Sequence, residues 1–151
     1  MLPTIIAWFN RAVMFGTVMM YGATGEIITE KSGHLNLGVP GIMYVGGFSG
    51  FVTAFLYEQF HGENYNPLVC IILSFIVAFA ASALMGLLYS FITVTLRANQ
   101  NVTGLTITIF GVGVGNFFGK MVMGDKTVAV TNLGFKAFTT KIPGLSGMGA
   151  V

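Results

Sequence analysis

Few side chains in this sequence are equipped for chemistry, and those that are gather in one place. Among five acids and two histidines, Glu26, Glu30 and His34 fall at intervals of four. Glu26 and Glu30 would share a helix face. As intramembrane acids they could mark a proton or cation path. Set at the end of an apolar span beside Lys31, they read instead as an interfacial group, and their polar neighbours favour that reading. Asn36 follows, within Ser32-Gly33-His34-Leu35-Asn36-Leu37-Gly38-Val39-Pro40-Gly41. An uncharged amide near the bilayer midplane, beside helix ends exposed by a break, can hold a polar solute. It can equally cap the helix that starts after it. Further on, Thr103, Thr106, Thr108 and Asn116 place polar atoms along an apolar stretch. Threonine hydroxyls commonly bond to carbonyls of their own helix, whereas Asn116 has no such local role on a glycine-rich face. Asn36, Asn116, His34 and Thr103 are therefore the candidates for lining a substrate path.

Other chemistries lack their residues. The phosphate-binding pattern G-x-x-x-x-G-K-[ST] is absent. Gly111-Val112-Gly113-Val114-Gly115-Asn116 imitates a dinucleotide fingerprint, but its last position is Asn116 and it lies inside an apolar run. His34 and His61 sit on different segments, so no metal cluster forms. No Ser/His/Asp set can be assembled, and Cys70 is a lone thiol. No catalytic residue, metal or cofactor is expected in this chain. A net charge of +2 without a Lys/Arg block gives no footprint for nucleic acid. Asn101-Val102-Thr103 matches a glycosylation sequon by chance, at a membrane boundary.

The elements that position these residues are set by composition. Of 151 residues, 54% are hydrophobic and 8% charged, against about 25% charged in soluble domains. Apolar spans are expected over Ile5–Ile28, Asn36–Tyr57, Pro67–Leu96 and Val102–Met123. The third, at about 30 residues, is longer than the hydrocarbon core and must tilt, kink or protrude. Glu58–Asn66 and Arg97–Asn101 are polar turns, and residues 124–151 read as an extramembrane loop. The N-terminus lacks the basic start of a signal peptide, so the first span is expected to be retained and not cleaved. Ser32–Gly41 is the anomaly: Gly33, Gly38, Pro40 and Gly41 interrupt a stretch free of charge up to Tyr57. Irregular backbone survives at membrane depth only under protein cover or beside a wet cavity. Small residues four apart form ridges at Gly46/Gly50/Ala54, at Ala78/Ser82/Gly86/Ser90 and at Gly111/Gly115/Gly119, suited to close helix packing. The expected fold is all-α: a polytopic helical membrane protein with about four transmembrane helices of a larger bundle, the second broken near Ser32–Gly41.

Gly25-Glu26-Ile27-Ile28-Thr29-Glu30-Lys31-Ser32-Gly33-His34-Leu35-Asn36-Leu37-Gly38-Val39-Pro40-Gly41-Ile42-Met43 resembles the signature of the simple-sugar and nucleoside branch of ABC-importer permeases. Leu96-Arg97-Ala98-Asn99-Gln100-Asn101-Val102-Thr103-Gly104-Leu105 resembles a second signature of that family, and Ile142-Pro143-Gly144-Leu145-Ser146 its following outer loop. His34 stands where the family usually has Val or Ile, and Pro40 where it usually has an acid. The resemblance implies a multi-pass subunit of the bacterial plasma membrane, importing nucleosides or simple sugars. It implies three partners: a second permease subunit, a cytoplasmic ATPase that hydrolyses the ATP, and an extracytoplasmic solute-binding lipoprotein or periplasmic protein. Residues 1–151 would be the N-terminal part of one permease domain, with Glu58–Asn66 and the tail outside. The competing expectations are a self-contained four-span channel or interaction protein, and a membrane enzyme using Glu26, Glu30 and His34.

Overall fold

A computed structural model describes residues 2–123, and the loop expected over 124–151 lies outside them. Charge-free apolar sequence has one local solution in lipid, the helix, because it satisfies its own backbone. Four helices follow in order: α1 (Leu2–Lys31), α2 (Val39–His61), α3 (Pro67–Ser90) and α4 (Gln100–Met123). A single 3-10 turn, Gly62–Asn64, follows α2, and a π-helical stretch, Phe91–Thr95, extends α3. No strand occurs among the described residues. Val39–His61, Pro67–Thr95 and Gln100–Val122 are long and apolar enough to cross a membrane. α1, which carries Arg11 and Glu26 along its 30 residues, is not one of these three. The chain is a multi-pass helical membrane protein. Large apolar side chains such as Phe15, Phe75, Phe79 and Phe117 are exposed, as lipid-facing residues are.

Local chemistry sets the helix ends. Pro67 opens α3 behind Asn66, whose Oδ1 accepts from the Leu68 N–H at 3.1 Å. A proline in the first turn needs no N–H donor, and its φ is already helical. Asn99 caps α4: its Oδ1 accepts from the N–H groups of Asn101 at 3.0 Å and Val102 at 3.3 Å. The over-long third span ends in the π stretch, where Leu96 N–H donates to Phe91 O at 3.1 Å. Arg97 then takes φ 54°, the left-handed region unusual for a residue with a Cβ, and turns the chain toward α4.

The anomalous segment falls where the sequence places it but is shorter. α1 continues to Lys31, only residues 32–38 are irregular, and Pro40 and Gly41 belong to the first turn of α2. The break precedes the second span instead of interrupting it, because Pro40 falls where a helix tolerates proline.

Two compact units are distinguishable. The first takes Met1–Tyr44 and Met85–Val112; the second takes Val45–Leu84 together with the end of α4 from Gly113. Within the second, two of the expected ridges meet. Gly46 faces Ser82, and a Cβ on Gly50 would lie 3.2 Å from that of Ala78. Gly119 stands against Phe48. At the far end of α2, the Tyr57 ring stacks on His61 at 4.1 Å and meets Tyr65 edge-on at 5.7 Å. The first unit holds the residues of functional interest.

Candidate functional site

The connector of residues 32–38 joins α1 to α2, and every element of its unit contributes to holding it. α1 closes with Gly33 at φ 86°, the left-handed position that ends many helices. There Gly33 N–H donates to Glu30 O at 2.9 Å and His34 N–H to Thr29 O at 3.1 Å. Beyond that point the backbone has no helix to bond to, and side chains take over. Leu35 N–H donates to Gln100 Oε1 at 3.2 Å. Asn36 N–H donates to Glu26 Oε1 at 2.8 Å. The Tyr89 hydroxyl donates to Leu35 O at 2.9 Å, and the Thr108 hydroxyl to Leu37 O at 2.8 Å. Backbone groups away from water need partners, and these four side chains supply them to the irregular stretch.

Asn36 is buried, at 7% exposure. Its Oδ1 accepts from Gly38 N–H at 2.9 Å, and its carbonyl accepts from Val39 N–H at 3.3 Å. The side chain thus caps the start of α2 through an Asx turn. Gln100 also orients the ring of its neighbour His34. Its Oε1 is engaged by Leu35, so its Nε2 points at His34 Nδ1, 2.7 Å away. That ring nitrogen is the acceptor, which places the proton of neutral His34 on Nε2.

α4 reaches the connector because glycines remove the side chains between them. A Cβ on Gly104 would lie 2.8 Å from Leu37 N, and one on Gly41 2.5 Å from Thr108 Cα. One on Gly111 would lie 2.7 Å from Gly41 O, and one on Gly38 3.2 Å from Ile107 Cγ2. Backbone therefore packs on backbone, the mode that membrane helices use in place of hydrophobic burial.

Beside the connector, α1 and the start of α2 enclose an open cleft of about 320 Å³. Tyr21, Gly25, Thr29, Asn36 and Met43 are among the residues lining it. The Thr29 hydroxyl donates to Glu26 O at 2.8 Å.

Of the four path candidates, the structure brings Asn36 and His34 into this unit and buries Thr103 at the start of α4. Asn116 is exposed and belongs to the other unit, as do Gly115 and Gly119. Thr106 bonds to the carbonyl of Val102, as helical threonines do, but Thr108 reaches across to Leu37 instead. Glu26 has a further role that its spacing from Glu30 did not suggest, since its carboxylate accepts the Asn36 N–H. Gln100 and Tyr89 were not singled out from sequence. Gln100 does stand inside the second signature, and Tyr89 is a polar-tipped ring in an otherwise apolar run, which is the trace each left. Among the described residues no three His, Cys, Asp or Glu side chains group to hold a metal.

Comparison with known proteins gives the family. Residues 8–150 match the family described as the branched-chain amino acid transport system / permease component. A Haloferax volcanii protein named "Putative glucose ABC transporter permease protein" is 34% identical over 73% of this chain and 30% of its own length. The guanosine ABC transporter permease protein of Bacillus subtilis is 30% identical over 88% of this chain and 40% of its own. The nucleoside ABC transporter permease protein of Lactococcus lactis is 27% identical over 70% of this chain and 32% of its own. The chain therefore spans well under half the length of these relatives. No solved structure matches it. The two signature stretches, one running through the connector and the other opening α4, are the parts that Gln100 and Gly104 join, and with the match over residues 8–150 they place the chain in the ABC-transporter permease family.

Proposed function

We propose that this chain is part of the membrane-embedded subunit of an ATP-driven, binding-protein-dependent importer, and that its cargo is a nucleoside or a simple sugar. The observation that carries the reading is the pairing of two things. Relatives named for guanosine, nucleoside and glucose transport align over most of the chain, and the two signature stretches meet in one hydrogen-bonded unit. Such a subunit would sit in a bacterial plasma membrane with a second permease subunit. A cytoplasmic ATPase would supply ATP hydrolysis, and a solute-binding lipoprotein or periplasmic protein would deliver cargo. This chain would bind no cofactor and would carry out no reaction of its own.

Within this reading Asn36, His34, Thr103 and Asn116 are the residues we propose for the solute path, and Asn36 is the one to test first. Asn36 also caps α2, so the two roles need separate variants. Asn36→Asp keeps the accepting Oδ1 and removes the amide N–H₂ group. Asn36→Ala removes both. If the amide meets solute, Asn36→Asp lowers uptake while the permease accumulates normally in the membrane. Normal uptake would remove Asn36 from the path.

The reading itself is tested by deleting the complete reading frame that holds this chain and measuring uptake of labelled guanosine, uridine and glucose. Loss of concentrative uptake of one of them, restored by the gene and abolished by ATP depletion, is expected. Unchanged uptake of all three would refute it, and passive equilibration without ATP would favour the four-span channel.

A further inference from the structure

We infer that the cleft between α1 and the start of α2 is a subsite for the heterocyclic base of a nucleoside, and not for a sugar. The inference rests on the importer reading above and deepens it. At about 320 Å³ the cleft has room for one small molecule. Its lining is one aromatic ring (Tyr21), two glycines of α1 (Gly22 and Gly25), and the apolar side chains of Val39, Ile42 and Met43. Polar groups enter only from Thr29, Asn36 and the Tyr21 hydroxyl.

Two of those polar groups already have work. The Thr29 hydroxyl donates to Glu26 O, and Asn36 Oδ1 accepts from Gly38 N–H. A monosaccharide carries a hydroxyl on nearly every carbon, and a mainly apolar wall covers hydroxyls without replacing the hydrogen bonds that water gives them. This lining cannot meet that demand. A heterocyclic base makes a different demand: two apolar faces, which want an aromatic ring and aliphatic walls, and one polar edge, which a single amide can read. Asn36 Oδ1 is held by Gly38 N–H, so its amide N–H₂ is the group that donates to an acceptor on the edge of the base.

A second observation concerns Gly25. A Cβ built there meets nothing within 4 Å, and Gly25 is one of the residues that line the cleft. Its neighbour Gly22 differs, for a Cβ there would come within 2.7 Å of Met43 Sδ. Gly25 is thus the position where a side chain would occupy the cleft without displacing the protein's own atoms. In a helix interior, replacing glycine also favours the folded state. A substitution that fills the cleft and does not unfold the helix is available.

The test uses the complete reading frame with its partners. Gly25→Leu should lower nucleoside uptake by about tenfold to hundredfold, with thermal stability in detergent and membrane abundance held or raised. Gly25→Ala should retain more uptake than Gly25→Leu. In parallel, Gly25→Cys places a thiol in the cleft, while native Cys70 is fully buried. Guanosine or uridine should slow its reaction with a membrane-permeant maleimide, and glucose should not. Unaltered uptake in Gly25→Leu overturns the inference. So does an introduced thiol that does not react, that neither nucleoside protects, or that glucose protects equally. A loss of uptake accompanied by lowered stability is resolved by the thiol protection, which needs no transport. If the unaltered permease moves neither nucleoside nor sugar, the importer reading fails; if it moves one and these variants behave otherwise, only the cleft assignment fails.

Discussion

Gly41 is the position where one methyl group should do the most damage. A Cβ there would stand 2.5 Å from Thr108 Cα and 2.7 Å from Ile107 O, both backbone atoms that cannot rotate aside. Non-bonded carbons rest about 3.5–4.0 Å apart, so α2 and α4 must separate by roughly 1 Å or more. The Thr108 hydroxyl now donates to Leu37 O at 2.8 Å, and Gln100 accepts from Leu35 N–H at 3.2 Å. A further ~1 Å takes both beyond hydrogen-bonding range. Overpacking costs about 1–3 kcal/mol, and each lost bond about 1 kcal/mol. The gain in helix propensity from Gly to Ala returns about 0.5–1 kcal/mol. Gly41→Ala should therefore destabilise the protein by about 2–4 kcal/mol. Gly47 and Gly86 are the controls, because a Cβ at either meets nothing within 4 Å. Thermal denaturation of the purified permease in detergent reads all three. Gly41→Ala should melt well below the unaltered protein, and Gly47→Ala and Gly86→Ala at or above it. If Gly41→Ala melts with the two controls, backbone-on-backbone packing at this crossing is refuted.

Removing Gln100 should act on the connector more than on the helices. Gln100→Ala deletes the partners of Leu35 N–H and His34 Nδ1, a loss of about 1–3 kcal/mol, and hydrogen exchange should speed up at Leu35 while the middle of α3 stays protected. Gly33→Ala forces a Cβ into φ 86° and should lower stability by about 1–2 kcal/mol, read in the same melt. At the loop after α2, the Tyr65 hydroxyl is buried without a hydrogen-bond partner. Burial first, then the neighbouring Cys70, pushes its pKa above the ordinary tyrosine value. The folded state thus holds that proton more tightly than the unfolded chain. The associated stability is complete below the ordinary tyrosine pKa and is lost as pH rises above it toward the folded value. Tyr65→Phe should cost little at neutral pH and should flatten the decline in melting temperature above about pH 10; an unchanged alkaline decline would contradict this.

Much of this was open to a reader of residues alone. Stretches without charge announced the spans, and Pro67 behind Asn66 announced where α3 begins. The ridges at Gly46/Gly50 and Ala78/Ser82 do face each other, because spacing of four lines up residues along any α-helix. Boundaries were less legible. Asn36 looked like the start of the second span, yet α2 waits for Val39, since the amide is used in the turn before it. The π stretch at Phe91–Thr95 left no mark beyond the excess length of its span.

Composition and pattern by themselves determined that the chain is helical and membrane-embedded, because long unbroken apolar runs can satisfy their backbone in lipid only as helices, a barrel strand being short and alternating. They also determined that irregular backbone near Ser32–Gly41 had to be covered by something. What covers it was decided only in three dimensions. Glu26, Tyr89, Gln100 and Thr108 come from three helices, and nothing in their spacing along the chain relates one to another. A hydrogen bond depends on where two atoms meet in space, and for residues 65 or 71 positions apart that place is set by how the helices pack.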